Sequence, residues 1–101
     1  MIKMPEQEKE WNRGRGATLA EDFDILLGDL CVIWGFCGGL TGWELTHEGN
    51  AITAQAFAEA VIAAEEEPPA GADVWLPKIV GVFVERYGPT VSAATFGRQA
   101  K

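Results

Sequence analysis

Thr18 to Cys37 reads TLAEDFDILLGDLCVIWGFC and is the longest apolar-periodic stretch of the chain. Thr18 and Glu21 form a T-x-x-E capping box. The Thr hydroxyl accepts from the first turn, and the Glu reaches back toward the cap. Asp22 adds negative charge where the helix dipole favours it. Leu19, Phe23, Leu26, Leu30, Ile33, Trp34 and Cys37 then recur at steps of three and four, one arc of a helix. Ile25, Val32 and Phe36 form a second apolar set beside Gly28 and Gly35, where a neighbouring backbone could come close. The stretch therefore reads as a core helix over 18–37. Its N-terminal half has a wet face (Glu21, Asp24), and its C-terminal half is packed on two sides. A buried strand over Leu30–Cys37 is the alternative, because an eight-residue apolar run with Val, Ile, Trp and Phe also fits one.

Outward from this helix, residues 1–16 are polar and end in RGRG. They read as a flexible N-terminal arm anchored by Trp11. Arg13 and Arg15 are a weak nucleic-acid signal that an acidic body would oppose; pairing with its carboxylates is the plainer role. Gly38-Gly39 stops the core helix. Thr41 caps a short turn through Trp43 and Leu45, and His47 to Asn50 is a loop. Thr53 caps a second helix over 53–66, with Ile52 and Phe57 as its hydrophobic staple. Its alanines make it slim, suited to lie against the Gly28/Gly35 side of the first. Glu65, Glu66 and Glu67 then oppose the helix dipole, and Pro68 to Ala72 is a linker. A third helix over 76–87 carries Leu76, Ile79, Val80, Phe83, Val84 and Tyr87 on one face, with Pro77 in its first turn. Asp73 or Leu76 is its cap, and Gly88-Pro89 ends it. Thr90 caps one more turn through Phe96. The expected architecture is a small all-α bundle of three principal helices with short helical turns. It forms one domain over 17–97, followed by a basic tail at 98–101.

The net charge of −7 conceals a sharper division. Residues 16–77 hold every Asp and Glu except four and not one Lys or Arg, a local charge of −11. The flanks carry +1 and +3. Such a body repels nucleic acid and acidic membranes and attracts basic partners. Cys31 and Cys37, six apart on one helix, would stand ~9 Å apart along the axis and on different sides, so they are expected as free thiols. Free thiols in a chain without an apparent leader suggest the cytoplasm. The longest uncharged apolar run is also shorter than the ~20 residues a membrane span needs.

Motifs for chemistry are sparse. Glu44-x-x-His47 has the spacing used in carboxylate-bridged di-iron bundles, but such sites need a second pair and this chain has one His. Leu45 to Phe57 superficially resembles the end of an EF-hand loop. Leu45, His47, Gly49 and Ala56 fall at its ligand positions, and none brings a carboxylate. Phosphate-binding glycine loops and C-x-x-C are absent. No enzyme activity, metal or cofactor is expected. Trp43 and Trp75, like Trp11, stand at element edges, where tryptophans lid a core or anchor an interface.

The function expected from these features is that of an acidic interaction protein binding a basic surface of a protein partner. Its most concrete form, by analogy of size and charge alone, is an inhibitor masking a nucleic-acid-binding site, as phage anti-CRISPR and other DNA-mimicking proteins do. The partner-binding candidates are Glu21, Asp22, Asp24, Asp29, Glu65, Glu66, Glu67, Trp43 and Trp75. A structural subunit or assembly adaptor, binding through apolar helix faces and edge tryptophans and with room for a homodimer, is the alternative. A ligand- or metal-binding bundle is a third and thinner option.

Overall fold

The structure is a computed structural model that describes residues 16–65 and 71–99. Residues 1–15 of the expected arm with Trp11, Arg13 and Arg15, the carboxylates Glu66 and Glu67, the Pro68-Pro69 linker and the last two residues of the tail lie outside them. The described chain is all-α apart from one two-residue strand pair. In order it forms α1 (Leu19–Trp34), α2 (Gly42–Thr46), β1 (Ile52–Thr53), α3 (Ala54–Ala63), α4 (Ala72–Tyr87), β2 (Thr90–Val91) and α5 (Ala93–Gln99).

Helix α1 starts as its sequence requires. Thr18 is extended, and its Oγ1 accepts from the Glu21 amide at 3.2 Å. Glu21 returns a bond to the Ala17 amide at 3.0 Å, one residue before the cap. The helix ends at Trp34, three residues earlier than the periodicity suggests. Gly35 takes the left-handed φ of 84°. Its amide then bonds the Cys31 carbonyl at 3.0 Å, and the Phe36 amide bonds the Leu30 carbonyl at 3.2 Å. A left-handed glycine is the common way to satisfy the last carbonyls, so Gly35 is a stop rather than a packing surface. The strand alternative for Leu30–Cys37 falls with it.

The core lies on one stripe of α1, not two. Leu19, Phe23, Leu26, Leu27 and Leu30 are buried, while Val32 is 83% exposed and an added Cβ at Gly28 would meet nothing within 4 Å. The expected two-sided burial of the C-terminal half is thus corrected. The slim helix α3 packs chiefly on α4 instead of on the glycine side of α1. At the centre the Phe23 ring meets Phe57 at 5.3 Å, Phe83 at 6.2 Å and Tyr87 edge-on at 5.3 Å. Phe57 and Phe83 stand 5.1 Å apart. Each such pair adds about 0.5–1.5 kcal/mol beyond the area it buries.

The remaining starts and stops are local chemistry. Thr41 Oγ1 accepts from Glu44 at 3.2 Å, and Thr53 Oγ1 from Ala56 at 3.0 Å, as their positions suggest. Helix α4 begins one turn before the expected 76, after Gly71 at φ 85°. Pro77 therefore sits inside the helix, where it leaves a carbonyl of the preceding turn without its usual amide. The expected turn through Phe96 is a strand and then a helix. Ile52 pairs with Val91 and Thr53 with Thr90, antiparallel. Ser92 and Thr95 then bond reciprocally, Ser92 N to Thr95 Oγ1 at 2.9 Å and Thr95 N to Ser92 Oγ at 3.3 Å. Helix α5 continues to Gln99, past the expected boundary at 97. Among the described residues no helix is long and apolar enough to cross a membrane.

Candidate partner-binding groove

The early stop of α1 creates the most distinctive site. With the helix ended at Trp34, the chain turns back through Gly35. Phe36 drops into the core, and Cys37 returns to Cys31. The two form a disulfide with Cα atoms 4.5 Å apart. The expectation of two free thiols assumed a helix through Cys37; the left-handed glycine removes that assumption.

The loop after the disulfide is held by glycines at two close approaches. A Cβ at Gly38 would lie 2.5 Å from the Ala64 carbonyl oxygen, and one at Gly42 would collide with the Ala20 carbonyl. Asp24 fixes the second contact, its Oδ1 accepting from the Gly42 amide at 2.7 Å. Between these two tethers lies a groove of about 280 Å³. One side is the stripe Asp24, Leu27, Gly28 and Cys31 of α1, which is i, i+3, i+4, i+7 spacing. The other side is the loop 36–40 and the end of α3, Val61, Ala64 and Glu65. The walls are mostly apolar with two carboxylates. Glu65 Oε2 is buried and has no hydrogen-bond partner among the described residues.

The candidates named from sequence have different fates. Asp24 and Glu65, forty-one positions apart, line this one groove. Glu21 is exposed but engaged in the cap, and Asp29 is half-buried. Asp22 is fully buried, so it is not a surface carboxylate. It accepts from Arg86 Nε at 2.8 Å, Arg86 Nη2 at 3.0 Å, Tyr87 Oη at 2.6 Å and the Gly16 amide at 2.9 Å. Burial pushes its pKa up. The hydrogen bonds from Arg86, Tyr87 and Gly16 and the charge of Arg86 outweigh that, and the net shift is downward. Burial and the bond to Asp22 push Tyr87 well above the usual phenol range. Asp22 is a structural hub joining α1 to the end of α4.

The tryptophans also divide. Trp75 is partly buried against Trp34 and Phe36, both at 5.3 Å, with Lys78 Nζ 4.9 Å above its ring. Trp43 remains 65% exposed and stacks on His47 at 4.4 Å and 14°. His47 Nδ1 lies 3.2 Å from both the Trp43 and Glu44 carbonyl oxygens. Among the described residues no three His, Cys, Asp or Glu side chains converge as metal ligands would.

Sequence reasoning missed Arg86, the bond from Tyr87 to Asp22, the disulfide and the groove. The signal for the groove was Gly35 followed by Gly38-Gly39, one stop too many for a single helix end. Compared with family models, curated proteins and solved structures, the chain matches none.

Proposed function

We propose that this chain is a non-enzymatic acidic interaction protein that binds a basic surface of a protein partner. The observation that supports the reading best is the distribution of carboxylates in the base-free segment. The one that is fully buried among the described residues, Asp22, is the one met by Arg86. Glu21, Asp24, Glu44, Glu48 and Glu59 are exposed. Carboxylates so placed steer a cationic partner and raise its association rate more than its final affinity.

The finer version is a partner whose basic surface is a nucleic-acid-binding site, which the chain would mask. The compartment is part of the proposal. A Cys31–Cys37 disulfide persists in oxidising surroundings and is opened in the reducing cytoplasm, which weighs against the cytoplasmic setting that free thiols suggested.

The test is a partner captured at low salt, followed by kinetics with a Glu21→Lys/Asp24→Lys/Glu65→Lys variant. Association should slow and its salt dependence flatten. Unchanged rates in the folded variant would sink the reading. Competition of the captured partner with DNA tests the masking version. Exposed Trp43 and Val32 favour the alternative, an adaptor binding through apolar surface. Its mark is binding insensitive to salt and lost on Trp43→Ala.

A further inference from the structure

We infer that the groove beside the Cys31–Cys37 disulfide is a receptor for one arginine side chain presented by the partner, an inference that rests on the basic-surface reading above. Four observations converge on a guanidinium. Glu65 Oε2 is buried with no hydrogen-bond partner. A buried acceptor left unmade costs free energy, the more so when charged, and an incoming N–H donor recovers it. Asp24 lines the same groove with one oxygen already held by the Gly42 amide, so its position is set before a ligand arrives. The walls between the two carboxylates are apolar, from Leu27, Phe36, Leu40 and Val61. Such walls suit the methylene stem of a long basic side chain whose head seeks charge. Finally, every lining residue belongs to the segment 16–77, which contains no Lys or Arg, so the segment holds no cation for its own groove.

Arginine fits better than lysine. Its planar head carries five N–H donors in a fixed fork, whereas an ammonium is a compact, strongly hydrated point charge. A partly desolvated groove with carboxylates from two different elements favours the weakly hydrated, multiply donating group. The volume of about 280 Å³ suits one side chain rather than a larger ligand.

The test compares three peptides of four lysines around a central arginine, lysine or citrulline, by calorimetry and amide-shift titration on the full chain. The arginine peptide should bind about 10-fold more tightly than its equally charged lysine counterpart, a difference of ~1.4 kcal/mol. Its largest shifts should fall on Gly38, Gly39 and Glu65. Glu65→Gln should abolish that preference. So should Gly28→Leu, which fills the groove from an open helix position and is thus expected to fold. Equal binding of the arginine and lysine peptides, or a preference that survives both variants, overturns the groove assignment and leaves the acidic-surface reading standing. Failure of all three peptides to bind at low salt overturns both.

Discussion

Replacing Asp22 by alanine should be among the most damaging single changes in this fold. The Asp22 carboxylate sits at the first turn of α1 and fills its acceptor sites with four donors, two of them from Arg86. Truncation leaves the Arg86 guanidinium, whose side chain is only 10% exposed, without this counterion. It also removes an acceptor of the buried Tyr87 hydroxyl and of the Gly16 amide. Breaking a buried ion pair from one side costs about 3–5 kcal/mol, chiefly because the surviving charge stays buried. A domain of this size has roughly 5–15 kcal/mol in total, and its Tm moves about 4–8 °C per kcal/mol. The melting temperature should therefore fall by on the order of 20 °C. Urea unfolding followed by circular dichroism gives the free energy directly, and the comparison is a cycle of Asp22→Ala, Arg86→Met and the double variant. The double variant should lose less than the sum of the singles by about 1 kcal/mol or more, since neither buried charge of the pair then remains without the other. The linkage is also signed. The folded pKa of Asp22 lies below its unfolded value near ~3.9. Its stabilisation is thus complete above that value and is lost as pH falls through the folded pKa. Wild type and Asp22→Asn should converge in stability in strong acid. A cost below ~1 kcal/mol for Asp22→Ala, or strictly additive singles, would refute the hub.

The glycines offer an internal contrast. Gly42→Ala drives a methyl into the Ala20 carbonyl and should cost about 1–3 kcal/mol, whereas Gly28→Ala, in open helix surface, should gain roughly 0.5–1 kcal/mol by urea denaturation. Gly35→Ala must hold an alanine at φ 84° and should lose about 1–2 kcal/mol. Reducing Cys31–Cys37, or replacing both by serine, opens a short loop of six-residue separation and should cost about 2 kcal/mol on the chain-entropy account, read as a lower urea midpoint. Tyr87, with its folded pKa raised above the usual ~10, contributes stability below that pH and loses it as pH rises further; the alkaline limb of the stability profile should flatten in Tyr87→Phe.

What could be read in the chain follows the range of the interaction. Thr18, Thr41 and Thr53 cap their helices where placed, because a cap is settled within four residues. Leu19, Phe23, Leu26, Leu30, Phe57, Ile79, Phe83 and Tyr87 form the core because helical periodicity records burial directly. The failures are of two kinds. At Gly35 two local signals competed: apolar periodicity continued to Cys37, while the glycine offered a left-handed cap, and the cap prevailed. Asp22 misled for a different reason. Its side-chain partners lie 64 and 65 residues away, and an acidic residue in a first helical turn normally faces water. The Ile52–Val91 pairing is long-range in the same way. Of the site, the acidity was legible and its position was not, since Asp24 and Glu65 line one groove only once α3 has docked.

Asp22 and Glu65 together sharpen what the groove means. Both are carboxylates of the same base-free segment, and both bring oxygen atoms out of water. The fold surrounds Asp22 with donors from three residues, one of them an arginine from the more basic C-terminal part of the chain. That is how a buried carboxylate is accommodated when its task is to hold a structure together. Among the described residues Glu65 Oε2 has no such partner, although the Gly38 backbone runs close beside it. A carboxylate oxygen out of water and unmatched from within is expected to lower the stability of the isolated chain and to recover that loss when a donor arrives from outside. The two residues thus predict opposite outcomes for the same neutralising change. Asp22→Asn should destabilise the isolated protein, while Glu65→Gln should leave it as stable or more so and weaken only binding. Glu65→Gln behaving like Asp22→Asn, with stability lost and peptide affinity intact, would return Glu65 to the structure and remove it from the site.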